Sequence, residues 1–295
     1  MKACFFLPIL FLFQHCQSQP KLKTPTNGDS NTLLWEITGK HLKKPSYLFG
    51  TFHMMCKDDI KFTDYLRAAL QTSEEVYFEM DLDDAANTLG ALFFMNMADG
   101  KTLKDLYTPE EYEKMQVFFK DSLRISLTSF QKMKPSFLEA FLYPKMMPCK
   151  NLSGVEQELM KIAAKEKKEI RGFETIAFQA SVFDSIPYST QAKSLLNSID
   201  SIGKYQVYFD SMIHVYQTQQ LDKLEAMFTQ PEFGMKEGLE LLLDNRNKNW
   251  VAQLRTILPE KNIFIAVGAG HLVGKMGLIA LLREEGYTLR PLLNR

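Results

Sequence analysis

The sequence predicts an α/β protein with a central mixed, largely parallel sheet and a large helical insert. Short apolar runs alternate with amphipathic stretches at both ends of the chain, as in strand–helix–strand units. Two of these runs lead into a Gly-x-x-His element, Gly50-Thr51-Phe52-His53 and Gly268-Ala269-Gly270-His271. Open α/β sheets gather their reactive groups at the carboxyl ends of the strands. We therefore expect both histidines at that edge of the sheet.

The first part of the sheet is predicted from residues 33–81. Residues 33–37 and 46–50 have the composition of two strands, and the turn between them predicts a hairpin. Helical spacing of apolar residues predicts a helix over residues 58–73, and residues 76–81 form a third strand. The second strand, the helix and the third strand make the building block of a parallel sheet.

The large insert is predicted over residues 83–211, which are mostly helical in pattern. One helix start is marked by Thr108-Pro109-Glu110-Glu111, which supplies a capping hydroxyl, a first-turn proline and a glutamate that completes a capping box. Within this region, residues 155–168 predict a helix and residues 169–173 a short strand. Residues 221–258 predict further helix, interrupted near residues 231–234.

The C-terminal unit has the clearest pattern. Residues 262–267 predict a buried strand, and residues 268–274 form a glycine-rich turn. Residues 275–285 predict a helix that ends at Gly286, and residues 287–293 return as a strand.

The N-terminus has the pattern of an export signal. Residues 1–18 combine a positive start, an apolar run too short to span a bilayer, and small residues before a cleavage point. An alternative is that Cys16 is the lipidated residue of a lipoprotein signal. Residues 19–32 predict a flexible leader, and residues 33–295 are expected to form the folded domain. We expect an exported protein, periplasmic or secreted, or else lipid-anchored at Cys16.

Charge and hydropathy exclude several classes of partner. The chain has 35 basic and 35 acidic residues and no basic block, so a phosphate-neutralising surface for nucleic acid is not expected. No stretch after the signal reaches the length of a membrane span.

Two cysteines remain after the signal, Cys56 and Cys149. In an oxidising compartment they can form one disulfide, which would restrain the loop that carries His53. The other interpretation is two buried free thiols, and the sequence leaves both open.

Several charged residues are candidates for chemistry. Glu79 and Asp81 lie two apart in a predicted strand, so their carboxylates share one face of an otherwise apolar element, where burial is costly without a partner. Asp83 follows. Glu174 ends another apolar strand. Arg246 lies on a predicted helix, where it can hold a carboxylate or an oxyanion, or simply pair with Glu174 or Asp244.

The chain resembles the TraB/GumN family over residues 33–293, almost the whole mature protein. The segments that carry the resemblance occur in the family's order. These segments are Leu48-Phe49-Gly50-Thr51-Phe52-His53, Tyr77-Phe78-Glu79-Met80-Asp81, Gly154-Val155-Glu156, Gly172-Phe173-Glu174-Thr175 with Gln179, Arg246-Asn247 with Trp250, and Val267-Gly268-Ala269-Gly270-His271-Leu272-Val273-Gly274. Glu156 stands where the pattern leads us to expect an aspartate, and no role is assigned to it.

This resemblance implies a fold and a site. The family is similar to the Tiki metalloproteases, whose two Gly-x-x-His elements and a glutamate form a divalent-metal peptidase site. It shares its fold with erythromycin esterase-like hydrolases and haem-binding relatives (EreA/ChaN-like). The residues carried over are His53, Glu79 and His271, with Glu174 and Arg246 in support.

The leading hypothesis is an exported, metal-dependent hydrolase, specifically a peptidase, and the expected partner is a peptide or a small-molecule substrate. His53, His271 and Glu79 or Glu174 would bind manganese, cobalt or zinc, the other carboxylate would be the general base, and Arg246 would stabilise an oxyanion. One alternative is a metal-independent, esterase-like hydrolase with His53 polarised by Glu79. Others are a non-catalytic protein that binds haem or a small ligand, and a scaffold that acts through the insert.

Overall fold

A computed structural model describes residues 31–81, 94–228 and 239–294. They form a mixed α/β fold around a six-stranded sheet, which confirms the predicted fold class. The strands are β1 Leu34–Gly39, β2 Ser46–Thr51, β3 Met55–Cys56, β4 Glu75–Met80, β5 Leu152–Ser153, β6 Glu169–Glu174, β7 Ile263–Gly268 and β8 Tyr287–Pro291. Their order in the six-stranded sheet is β6-β4-β7-β2-β1-β8.

The helices of the described residues lie on both faces of this sheet and in the insert. Short 3-10 or π turns extend several of them, including the five-residue π turn Glu240–Asp244. The helices are α1 Asp64–Thr72, α2 Pro109–Phe118, α3 Pro135–Leu138, α4 Tyr143–Met146, α5 Val155–Lys165, α6 Ile176–Asp184, α7 Tyr188–Asp200, α8 Ile202–Gln217, α9 Leu221–Phe228, α10 Asn245–Ile257 and α11 Leu278–Glu284.

The centre of the sheet is β7, which pairs in parallel with β2 on one side and β4 on the other. All six of its residues are buried, as expected for a strand covered on both faces. The predicted unit of β2, α1 and β4 therefore exists, but its two strands are not neighbours. The last strand but one of the chain lies between them, and this pairing brings the carboxyl ends of β2, β7 and β4 together.

The antiparallel part of the sheet is the predicted hairpin and the C-terminal strand. Strand β1 pairs with β2, with Trp35 opposite Leu48, and also with β8, with Ile37 opposite Leu289. Strand β8 thus lies next to β1, on the side of the hairpin that is away from β7.

Two helices start later than predicted. Helix α1 begins at Asp64 rather than at residue 58, because the Thr63 hydroxyl accepts the Leu66 amide (3.2 Å) and caps the helix there. Residues 57–59 form a separate 3-10 turn. Helix α11 begins at Leu278 rather than at residue 275, directly after Gly277.

The helical insert has a hydrophobic core of its own. Helix α2 begins as predicted, since Thr108 Oγ1 accepts from the Glu111 amide (3.2 Å) and Glu111 Oε2 accepts from the Thr108 amide (2.9 Å). The buried residues of this second core are Met97, Leu103, Tyr107, Tyr112, Met115, Phe119, Leu127, Leu138, Leu142, Met146, Ala192, Leu195 and Ile199.

A covalent staple joins the insert to the loop after β2. Cys56 and Cys149 form a disulfide with their Cα atoms 5.9 Å apart. Strand β3 pairs with β5, and the Lys57 amide donates to the Asn151 carbonyl (2.9 Å). The loop that contains His53 is therefore held at its far end by one covalent bond and a two-stranded ladder.

Several predictions from the sequence lie outside the described residues. They are the signal peptide, the Cys16 anchor, most of the leader and Asp83. Within the residues that are described, no helix combines the length and the apolar content needed to cross a membrane.

The disulfide should contribute strongly to stability because it closes a long loop, with its cysteines 93 positions apart in the sequence. We expect the double variant Cys56→Ala/Cys149→Ala to lose about 2–4 kcal/mol of unfolding free energy, measured by urea denaturation. A reductant should destabilise the unmodified protein and leave the variant unchanged. Equal stability of the two proteins without reductant, or two free thiols by mass spectrometry of the unreduced protein, would contradict the bridge.

Candidate functional site

The two Gly-x-x-His turns are adjacent at the carboxyl edge of the sheet. Gly50 pairs with Val267 and Thr51 with Gly268 in the parallel register of β2 and β7. A Cβ atom at Gly50 would lie only 3.2 Å from the Ala269 Cα, so the second turn packs directly against the first. Only glycine leaves room for this approach.

Glu79 reaches the same edge from β4. Its Oε1 accepts the Gly268 amide (2.8 Å), and its Oε2 accepts from Arg246 Nη2 (2.7 Å) and Gln179 Nε2 (3.1 Å). Burial alone would raise the pKa of this carboxyl. The imidazoles beside it, the Arg246 guanidinium and the Gly268 amide outweigh that effect and hold the Glu79 pKa well below its usual range. Glu79 is therefore a buried, ionised carboxylate.

Gly268 opens a small space between the catalytic candidates. A Cβ atom at this position would lie 3.2 Å from Glu79 Oε1 and 3.4 Å from His53 Nε2. The missing side chain thus leaves a cradle that a carboxylate oxygen and an imidazole nitrogen both border.

The orientation of His53 is set by Glu156, a residue without an assigned role in the sequence analysis. Glu156 lies in the first turn of α5, and its Oε1 is 2.6 Å from His53 Nδ1 while it accepts the Thr51 hydroxyl at 2.6 Å. Loss of water from one side of the ring lowers the His53 pKa, but the carboxylates of Glu156 and Glu79 outweigh this and raise it to about 9. With Nδ1 engaged, Nε2 is the nitrogen that faces the cradle.

His271 is held in a similar way but is buried, with 3% of its surface exposed. Its Nδ1 lies 2.7 Å from Asn247 Oδ1, and the Asn247 amide group donates to the Met276 carbonyl (2.8 Å), which fixes the oxygen toward the ring. His271 Nδ1 therefore carries the proton. Burial, helped by the positive charge of Arg246, lowers the His271 pKa to about 3, so the ring is neutral with a lone pair on Nε2.

Arg246 lies beneath the site with all five of its N–H groups engaged. Besides Glu79, it pairs with Glu174 through Nε (3.0 Å) and Nη2 (2.9 Å), and Nη1 contacts the Leu242 carbonyl (2.9 Å) and His271 Nε2 (3.3 Å). Glu174 Oε1 also accepts Trp250 Nε1 (2.8 Å). Both Glu174 oxygens are thus used to position Arg246 and the indole, whose ring centre lies 4.4 Å from that of His271.

The structure brings together five of the residues singled out from the sequence, His53, Glu79, Glu174, Arg246 and His271. Asp81 lies one residue beyond the end of β4.

Sequence reasoning assigned no role to Glu156, Asn247, Gln179 and Trp250, although all four lie in the segments that resemble the family. The available signal for Glu156 was an acidic residue in the first turn of a helix that follows a glycine. Asn247 is the direct neighbour of Arg246 in the sequence.

The donor atoms suit a divalent transition metal in kind. His53 Nε2 and Glu79 Oε1 border the cradle, His271 Nε2 lies beside Glu79 Oε1, and the second nitrogen of each ring is held by an oxygen atom, as is usual for metal-binding histidines. His271 Nε2 lies 3.7 Å from Glu79 Oε1, close to the roughly 3.4 Å between two ligands of a tetrahedral ion. As placed, however, no three His, Cys, Asp or Glu side chains of the described part form a coordination group.

Comparison with known proteins agrees with the resemblance of the motifs. The model of the TraB/PrgY/gumN family matches residues 33–291. The chain is 24% identical to metalloprotease TIKI1 of Danio rerio over 91% of its own length and 64% of that protein. It is 23% identical to metalloprotease TIKI1 of Homo sapiens, over 90% of this chain and 63% of that protein. It is 20% identical to a metalloprotease TIKI homolog of Nematostella vectensis, over 88% of this chain and 66% of that protein. The chain thus spans somewhat under two thirds of these relatives. No solved structure matches it significantly.

The contact between Glu156 and His53 predicts a pH-dependent effect in the metal-free protein. In Glu156→Gln we expect the His53 pKa to fall from about 9 toward 6.5, measured by NMR titration. A raised pKa stabilises the fold below pH 6.5, and this is lost as pH rises through 9. The stability deficit of the variant should therefore be larger at pH 6 than at pH 10.

The matched control for this change is Glu158→Gln on the same helix, where the carboxylate pairs with Lys161 instead. It should leave the His53 titration unchanged. An unaltered His53 pKa in Glu156→Gln would show that the carboxylate does not hold the ring.

The second prediction concerns Arg246, whose removal would leave Glu79 and Glu174 buried without a counter-charge. We expect Arg246→Met to lose about 3–5 kcal/mol of unfolding free energy, measured by chemical denaturation. Arg255 on the same helix pairs with Glu285 at the surface, so Arg255→Met should have a much smaller effect. Equal losses in the two variants would contradict a buried charge cluster.

Proposed function

This chain belongs to the TraB/PrgY/gumN family, and we propose that it is an exported, divalent-metal-dependent hydrolase that cleaves peptide bonds. The observation that carries the proposal is the meeting of His53 and His271, far apart in sequence, around the buried carboxylate of Glu79. Each ring has its Nδ1 occupied, by Glu156 or Asn247, so that Nε2 is the nitrogen left for a ligand. The metalloprotease names of the relatives support the same reaction class.

In this proposal His53, Glu79 and His271 hold the ion. Imidazole and carboxylate ligands are compatible with manganese, cobalt or zinc. When bound, such an ion lowers the pKa of a coordinated water toward neutrality and polarises a carbonyl group.

The protein groups supply orientation and charge. Glu79 is the carboxylate that borders the cradle, so we assign to it the metal-ligand role that the sequence left open between Glu79 and Glu174. Glu174 acts as a positioning residue, since Arg246 and Trp250 take both of its oxygens.

Arg246 is our candidate for binding the substrate oxygen, with one condition. All of its N–H groups have acceptors, and the longest contact is the one from Nη1 to His271 Nε2 at 3.3 Å. When His271 Nε2 serves as a ligand, it stops accepting from Arg246, and the Nη1 proton becomes available to a substrate oxyanion.

Export is part of the proposal. It rests on the pattern of residues 1–18 and is supported by the Cys56–Cys149 disulfide, because such bonds persist in oxidising compartments.

A second candidate is a metal-independent hydrolase that uses His53 directly. The contact that favours it is the carboxylate on His53 Nδ1, an arrangement that orients histidine bases in hydrolases. The sequence had led us to expect Glu79 in this role, but the carboxylate in contact with His53 Nδ1 is that of Glu156.

The test begins with bound metal and peptide cleavage, measured on protein purified without a histidine tag. We expect a stoichiometric metal ion and cleavage of an unfolded protein substrate that a chelator abolishes and added metal restores. His53→Ala and His271→Ala should each lose the ion and at least 100-fold in kcat/KM. His214→Ala, an exposed histidine on α8, is the matched control and should change neither quantity.

The other outcomes separate the alternatives. Cleavage that withstands the chelator but is lost in His53→Ala would favour the metal-independent hydrolase. No cleavage, together with a haem absorption band that His53→Ala removes, would favour a ligand-binding protein. If neither variant changes metal content or activity, the site is wrongly assigned.

A further inference from the structure

Gln179 contacts the site through one hydrogen bond and has further hydrogen-bonding groups that are unused. Its Nε2 donates to Glu79 Oε2 (3.1 Å). Because an ionised carboxylate only accepts hydrogen bonds, this contact places the amide nitrogen toward Glu79 and directs the carbonyl oxygen elsewhere. Among the described residues, no donor contacts Gln179 Oε1, and the second Nε2 proton has no acceptor.

The other amide and the indole at this edge of the sheet have no such spare groups. Asn247 Oδ1 lies 2.7 Å from His271 Nδ1, and Asn247 Nδ2 donates to the carbonyls of His271 (3.3 Å) and Met276 (2.8 Å). Trp250 Nε1 donates to Glu174. Gln179 therefore differs from them in that it can still bind a further group.

Helix α6 holds the backbone of Gln179 from both ends. Thr175 caps its start with a side-chain hydrogen bond. Near its end, Lys134 Nζ donates to the Ala180 carbonyl (3.1 Å) and pairs with Asp184 (2.8 Å). The carboxamide is thus presented from a fixed backbone, so that less conformational entropy is lost when it binds a ligand.

The Gln179 side of the cradle is accessible. Only Ala180 of the nine residues of α6 is buried, Gln179 is half-buried, and the His53 side chain is 71% exposed. Glu79 lies between these two residues, since its Oε1 borders the cradle with His53 and its Oε2 accepts from Gln179. A chain that extends from the cradle by one or two residues, at about 3.3 Å each, reaches the carboxamide.

We propose that the Gln179 carboxamide binds the main chain of a peptide substrate, within one or two residues of the bond to be cleaved. This inference rests on the proposed function and adds a substrate contact to it. An extended chain presents the N–H and C=O of one residue on the same side. Gln179 Oε1 accepts that N–H, and the second Nε2 proton is donated to the carbonyl. The contact is made with the backbone and not with side chains, so it favours peptides over esters.

The first experiment follows the Gln179 side chain by NMR in 15N-labelled, metal-free protein, so it requires no cleavage. The probe is N-acetylalanine N′-methylamide, a small compound with one complete peptide residue. We expect it to shift the Gln179 side-chain amide resonances saturably; their absence in Gln179→Met assigns them. The analogue in which an ester oxygen replaces the alanine N–H should bind about fivefold to tenfold more weakly, the value of one hydrogen bond.

The internal control is Gln71, whose Nε2 donates to Glu166 Oε1 (2.9 Å) at the surface, outside the site. Its side-chain resonances should not shift. Equal shifts at Gln71 and Gln179, equal binding of the amide and the ester probe, or no shift at Gln179 at the solubility limit would each overturn the proposal.

The second experiment measures kcat/KM for a decapeptide that spans a bond cleaved by the unmodified protein, and for analogues with a single ester at each of the two positions on either side of that bond. We expect one of these esters to cost the unmodified protein about tenfold and Gln179→Met less than about twofold. Gln71→Met should respond like the unmodified protein. If Gln179 only holds Glu79, Gln179→Met lowers kcat and the ester cost is the same in both proteins, which contradicts the proposal.

The two experiments separate this inference from the proposed hydrolase. Saturable shifts at Gln179 without any cleavage would count against the peptidase and support main-chain binding. Cleavage with equal ester losses in the unmodified protein and in Gln179→Met would overturn the inference and leave the peptidase in place.

Discussion

The interaction on which the site depends is the buried cluster of Arg246 with Glu79 and Glu174. Each carboxylate ends a parallel strand, and the guanidinium comes from α10 on the opposite side of the edge. Charges this deeply buried are tolerated only when paired with good geometry. The bidentate contact to Glu174 and the single contact to Glu79 supply that geometry. Through them, α10 and the neighbouring His271 are locked to β4 and β6.

A second set of restraints acts from the other side of the cradle. The disulfide, the β3–β5 ladder and the hydrogen bond from the Val155 amide to the Phe52 carbonyl (3.0 Å) join the loop after β2 to the start of α5. Because Glu156 lies in that first turn, the same contacts that hold the loop also hold the partner of His53. Each histidine is thus oriented by a different part of the chain, His53 by the insert and His271 by α10.

The sequence predicted most of the local structure and only part of the site. Apolar runs and capping residues located the strands and the start of α2, since these signals are local. The position of β7 between β2 and β4 was not predictable, because strand order depends on pairing between distant segments. The start of helix α1 was predicted too early in the sequence, because helical spacing alone does not show that Thr63 caps the helix and ends the preceding loop. Glu156 was missed because its partner is about a hundred residues away in sequence.

The close approach at Gly50 has a consequence for motion in the site. With the Ala269 backbone packed where a side chain would otherwise be, a displacement of either histidine-bearing turn toward the other meets direct resistance. A change at one turn is therefore transmitted to the other, and this couples the positions of the two rings.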